Sequence, residues 1–113
     1  MEKEYLSVGF YTDNLGRFIL KIGTTNDLER RRKEHNRNYR RAKTYTMADG
    51  CEFRYLWYKP LSKYNTLRYE DRNRAEWKNL GIGEFIRNDR FLVTSHIQSV
   101  PIKIRKIYEV ALG

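Results

Sequence analysis

The sequence predicts a single α+β domain: a small antiparallel β-sheet, with a three-stranded core and further strands towards the C-terminus, flanked by helices. Three observations carry this expectation. The chain of 113 residues is long enough to bury one core without staples. Two strand-like runs near the N-terminus, Leu6–Thr12 and Arg17–Ile22, are separated only by the turn signal Asp13-Asn14-Leu15-Gly16, which predicts a hairpin. Two helix-like segments then bracket Cys51–Tyr58, where polar and aromatic residues alternate as in a half-buried third strand.

In chain order, Gly23 ends the second strand, and Asn26 with Glu29 resembles a capping box. Asp27 and Glu29 suit the positive end of a helix, so the first helix is expected over Asp27–Tyr39. It runs into a basic patch, Asn36–Lys43, and a polar loop. Pro60 and Ser62 end the third strand. Thr66 or Asn65 caps a second helix reaching Asn79, with Gly81 just past its end. Gly81–Arg90 reads as a loop with one helical turn. Phe91–Thr94 and Ile102–Val110 read as two more strands around a polar turn containing Pro101. No repeat or linker divides the chain, so residues 1–113 are expected to form one domain.

Composition narrows the partners. Apolar residues make up 40% and aromatic residues 14% of the chain, so amphipathic rings must build much of the core. The formal charge is +9 and the pI near 9.8, which points to a polyanion, nucleic acid above all. No apolar run approaches the roughly 20 residues that span a bilayer, and MEKEYLS is not a signal peptide, so no membrane partner is expected. The single Cys51 excludes an internal disulfide and fits a reducing, cytoplasmic setting.

The helices carry the polar signal. Leu28, Arg31, Arg32 and His35 stand on one side of the first helix, opposite Glu29, Arg30, Lys33 and Glu34. Arginine suits phosphate because its planar fork grips two oxygens. On the second helix, Leu67, Glu70, Arg74 and Trp77 form a stripe, so Glu70 interrupts the face that should meet the sheet. A partly buried carboxylate needs a cation, either a protein side chain or a metal. Glu76 points away from this stripe. His35 and His96 are too few for a zinc centre without cysteines, and His96 is expected in a surface turn.

Gly9-Phe10-Tyr11, Lys21-Ile22-Gly23, Arg31 and His35 together resemble the GIY-YIG nuclease superfamily. Two triplets on adjacent strands are followed by an arginine eight residues after the second glycine and a histidine four further on. Glu70 and Asn88 match the glutamate on a later helix and the asparagine beyond it. The departure is Lys21, where the family usually has tyrosine; this KIG form is similar to a branch found in phage and bacterial proteins.

The resemblance implies a GIY-YIG-like fold and an endonuclease that hydrolyses phosphodiester bonds in DNA, most readily double-stranded, with one divalent metal ion, Mg²⁺ or Mn²⁺. Its catalytic residues would be Tyr11, Lys21, Arg31, His35 and Glu70. Glu70 would hold the metal, Tyr11 would orient or deprotonate water with help from Lys21 or His35, and Arg31 would stabilise phosphate charge. Arg32, Arg37, Arg40, Arg41 and Lys43 would hold backbone phosphates without reading sequence. Asn88 would position Glu70 or touch the phosphate. Cutting both strands of a duplex would take two events or a homodimer. The rival expectation is a nucleic-acid-binding module of the same fold without catalysis.

Overall fold

The computed structural model describes residues 3–79 and 81–94. Strands β1 (Lys3–Thr12) and β2 (Phe18–Thr25) are followed by helix α1 (Leu28–Arg40). Strand β3 (Arg54–Ser62) runs straight into helix α2 (Lys63–Asn79). Strands β4 (Gly83–Ile86) and β5 (Arg90–Val93) then flank a single 3-10 turn, Arg87–Asp89. The five strands make one sheet, ordered β3-β1-β2-β5-β4, and every neighbouring pair is antiparallel.

The hairpin is closed by its own turn chemistry. Buried Asp13 accepts hydrogen bonds at Oδ1 from the Leu15 and Arg17 amides (3.0 and 2.7 Å) and pairs at Oδ2 with Arg17 Nε at 2.6 Å. Gly16 takes the left-handed conformation (φ 77°) that costs glycine little. The resulting register sets Gly9 opposite Lys21 and Tyr11 opposite Ile19.

Alternation along the strands divides the sheet into two working faces. Leu6, Val8, Phe18, Leu20, Ile22, Phe91 and Val93 form a core sealed by Trp77 of α2 and by Ile82. Truncating a buried tryptophan of this kind costs about 3–5 kcal/mol. Tyr11, Ile19 and Leu92 point to the other face, where Tyr39 of α1, Met47 and Phe53 close over them.

Helix α1 has no apolar stripe; its buried residues are His35, Asn36 and Tyr39. Polar bonds fix it instead. Asn36 Oδ1 accepts from the Phe53 amide at 2.6 Å, Tyr55 Oη donates to the Leu28 carbonyl at 2.8 Å, and the Met47 amide donates to the Tyr39 carbonyl at 3.0 Å.

Several boundaries differ from the expectation. The N-cap of α1 is Asp27, whose side chain accepts from the Arg30 amide, and not Asn26; Thr25 Oγ1 accepts from the Asp27 amide and orients it. Strand β3 passes through Pro60 to Ser62; among the described residues it pairs only with β1, so proline's missing donor can face its outer edge. Helix α2 therefore starts at Lys63, ahead of the expected caps Asn65 and Thr66. The stretch read as a loop before Arg90 contains β4 as well as the helical turn. Gly83 allows this pairing: a Cβ there would collide with the Leu92 carbonyl oxygen. The Leu67 side chain, His96, Pro101 and the expected strand Ile102–Val110 lie outside the described residues.

Candidate active site

Three short pieces of chain converge on the α1 side of the sheet. Lys21 is the last β2 residue paired with β5, opposite Arg90. Beyond it β2 continues to Thr25 while β5 has turned back into the 3-10 turn, so the sheet opens at this point. Arg31, His35 and Tyr39, spaced by four residues, face the opening from α1. The 3-10 turn adds Asn88. A cleft of about 280 Å³ results, lined by Lys21, Arg31, His35, Tyr39, Asn88 and Arg90, with Asn38 and Ala42 at its edge.

The floor is aromatic. His35 lies parallel to Tyr39 (centroids 5.1 Å apart, planes within 5°), and Tyr39 stacks on Tyr11 at 4.6 Å. Phe53 closes the other flank of His35 at 4.6 Å. That contact needs Gly9, since a Cβ there would run into the Phe53 ring. Burial, with the nearby charges of Arg31 and Lys21, pushes the His35 imidazole down to about 3, so it is neutral at pH 7.

The cations above this floor differ in their freedom. Burial lowers the Lys21 ammonium below its ordinary value; Arg74 and Arg31 reinforce the shift, while Asp89 and Glu70 oppose it. Lys21 Nζ donates to the Asn88 carbonyl at 3.3 Å. Arg31 is half-buried and pairs with Glu34 at 2.7 Å, a solvent-screened contact on the helix surface that a phosphate can displace.

Tyr11 lies behind the cleft with no exposed surface. Its hydroxyl donates to the Tyr45 carbonyl at 2.7 Å and accepts from Arg90 Nη1 at 2.8 Å. Burial raises its pKa, with the Arg90 hydrogen bond pulling the other way, so the phenol stays protonated.

Glu70 belongs to the helix on the opposite face and is tied to the 3-10 turn through Arg74, which also meets Asp89; its charge and that of Lys21 act on each other. Burial raises the Glu70 carboxyl, against the pull of Arg74 and Lys21. Arg74 pairs with Glu70 at 2.7 Å and reaches Asp89 and Asp71 at 3.5 Å each, so this arginine occupies a cation's place between carboxylates. Among the described residues, no three His, Cys, Asp or Glu side chains converge as a metal cage. Glu70 and Asp89, both met by Arg74, are the carboxylates at this edge that would have to hold a metal ion.

The remaining expected residues spread out. Arg32 is taken up by Glu29 and Glu52, away from the cleft. Arg37, Arg40 and Arg41 line a separate groove with Lys33 and Asn36. Lys43 stands beside Arg87 in a third depression. Glu76 faces Arg72 at 3.9 Å and is more exposed than Glu70.

Tyr39 and Arg90 escaped the reading from sequence. Tyr39 continues the four-residue spacing of Arg31 and His35, a signal present in the sequence. Arg90 carries none, because its partners Tyr11, Thr44 and Tyr45 are distant in the chain.

The sheet and the two helices define a small α+β domain with a cleft lined by Lys21, Arg31 and Arg90. The family model for the T5orf172 domain matches residues 5–86, and the chain belongs to that family, a phage-associated domain of the endonuclease type. Membership points to a nuclease-like or DNA-binding role. The match takes in Tyr11, Lys21, Arg31, His35 and Glu70 and stops short of Asn88 and Arg90. Comparison with curated proteins and with solved structures gives no match. No helix among the described residues is long and apolar enough to cross a membrane.

Proposed function

We propose that the domain is a metal-dependent endonuclease of the GIY-YIG type that hydrolyses phosphodiester bonds in DNA, double-stranded by preference. The observation that carries this reading is the convergence of Lys21, Arg31, His35 and Asn88 on one cleft, with Glu70 linked through Arg74 to Asp89 of the turn that carries Asn88. The net charge of +9 supports a polyanionic substrate.

Arg31 leaves Glu34 and presents its fork to the non-bridging oxygens of the scissile phosphate, where charge grows in the transition state. Lys21 adds a second donor at Nζ, and its lowered pKa makes that proton easier to give up. His35, neutral at pH 7, accepts a hydrogen bond from water at a ring nitrogen. Tyr11 joins in orienting that water when its hydroxyl exchanges the Tyr45 carbonyl for it. Glu70 would hold the divalent ion, Mg²⁺ or Mn²⁺, and the chemistry such an ion would supply is Lewis-acid stabilisation of charge at the leaving oxygen. Arg32, Arg37, Arg40, Arg41 and Lys43 contact backbone phosphates, and a homodimer would cut both strands together.

The second reading, a binding module without cleavage, is favoured by the closed environment of Tyr11 and by Arg74 standing as the cation of Glu70. Incubating supercoiled plasmid with the protein and Mg²⁺ or Mn²⁺ separates the two. Nicking that EDTA abolishes supports the enzyme; a mobility shift without nicking refutes it in favour of the binder.

A further inference from the structure

A depression of about 300 Å³ adjoins the candidate site, lined by Ala42, Lys43, Thr44, Arg87, Asn88 and Arg90. Ala42, Asn88 and Arg90 also line the first cleft, so the two are neighbouring compartments of one groove. Arg90 lies under their shared wall and is only 2% exposed. Its Nε donates to the Arg87 carbonyl at 3.1 Å, and its Nη1 donates to the Thr44 carbonyl at 3.0 Å, the Tyr45 carbonyl at 3.3 Å and the Tyr11 hydroxyl at 2.8 Å. The first two bonds staple both walls of the second compartment.

All four partners are neutral oxygens. Among the described residues no carboxylate pairs with Arg90. The Tyr39 and Tyr45 rings lie 5.7 and 5.8 Å from its guanidinium carbon, which eases but does not neutralise a buried cation, and Lys21, Arg31, Lys43 and Arg87 line the same two compartments, with Asp89 the nearest acid in sequence. An anion in either compartment supplies what is missing. Lys43 and Arg87 come from loops far apart in sequence, and both are exposed at the mouth of the second compartment. The turn that presents Arg87 holds Asn88 and Asp89 in the left-handed region (φ 63° and 57°), a conformation that non-glycine residues adopt at a cost.

We infer that the second compartment binds the backbone phosphate adjacent to the one in the Lys21–Arg31 cleft. A nucleic-acid strand then leaves the candidate site between Lys43 and Arg87, with Arg90 as the buried charge shared by both phosphates. Two adjoining cationic compartments suit a backbone that carries a charge on every nucleotide. The inference rests on the nucleic-acid reading of the first cleft and not on cleavage.

The test measures binding of a fluorescein-labelled DNA duplex by the full chain, in EDTA, at several salt concentrations. Wild type binds with a salt slope. Lys43→Ala and Arg87→Ala each lower the slope of log K against log salt by about 1, the loss of one phosphate contact. The double variant loses little more than either single one, because both side chains serve one phosphate. Arg87→Lys keeps the slope, and so does Arg68→Ala, an equal charge loss at an exposed position on α2. Unchanged slopes in Lys43→Ala and Arg87→Ala, an equal drop in Arg68→Ala, or no binding by wild type overturns the inference. Because EDTA excludes metal, failure to nick plasmid leaves this result standing. Nicking with unchanged slopes removes the second compartment while keeping the nuclease.

Discussion

Gly9→Ala asks whether the first glycine of the hairpin is present for packing. A methyl group built there lies 2.6 and 2.7 Å from Phe53 Cε1 and Cε2, and closer still to Cζ. Carbon atoms rest at about 3.5–4.0 Å, so the ring must retreat by roughly 1 Å or more. Phe53 is 1% exposed and is held by His35, Tyr39 and Tyr55, with ring centroids at 4.6, 6.0 and 5.4 Å. Overpacking of a filled core costs about 1–3 kcal/mol, and a ring boxed in by three others places this case near the top of that range. At about 4–8 °C per kcal/mol, Gly9→Ala should lower Tm by roughly 10–20 °C in a circular-dichroism melt. Phe53→Leu, introduced with it, should recover part of the loss through a favourable coupling. Gly23, its counterpart on β2, is the control: a Cβ there meets nothing within 4 Å and no left-handed backbone demands glycine. Gly23→Ala should stay within about 0.5 kcal/mol of wild type. A Gly9→Ala melt that matches wild type, or an equal loss in Gly23→Ala, would refute the argument.

Three further outcomes are expected. Arg31→Ala should lower plasmid nicking by roughly a hundredfold to a thousandfold, about 2.7–4 kcal/mol, while duplex affinity stays within a few fold; cleavage at the wild-type rate removes Arg31 from the site. Glu70→Gln should abolish nicking and Glu76→Gln retain most of it, and the reverse pattern in the same assay moves the metal to Glu76. For His35 the folded value, about 3, lies below the unfolded value near 6.5. The unfolded chain therefore binds the extra proton between these values. The stability from keeping the imidazole neutral is complete above about pH 6.5 and falls as pH drops towards 3, by up to about 1.4 kcal/mol per pH unit. Urea titrations at pH 7, 5.5 and 4.5 should show this loss in wild type and a shallower one in His35→Gln; parallel losses would assign it to other groups.

The juxtaposition of the residues that line the candidate cleft was partly legible because its signals are local. The Asp13–Gly16 turn brings Tyr11 and Lys21 onto neighbouring strands, and helical periodicity carries Arg31 and His35 to one edge of α1. The inward face of α1 was misread in part. The buried residues are His35, Asn36 and Tyr39, while Arg32 turns to Glu29 and Glu52. A search for an apolar stripe passes over a helix anchored by an asparagine, a tyrosine and backbone carbonyls. Glu70 was recognised as an intruder on an apolar face; that Arg74 is its cation depends on side-chain geometry that spacing leaves open between a protein cation and a metal.

The sequence by itself determined the hairpin, the two helices, the basic character of the chain and the spacing of Lys21, Arg31 and His35. Each follows from turn chemistry, periodicity or composition within a few neighbouring residues. The tertiary structure alone decided that β4 pairs with β5, that Phe53 occupies the space Gly9 leaves, and that the Tyr11 hydroxyl is held by Arg90, 79 positions away. Those contacts depend on chain closure over long separations. A buried guanidinium chooses its partners from whatever oxygens the fold brings within about 3 Å, and no local pattern in the chain encodes that choice.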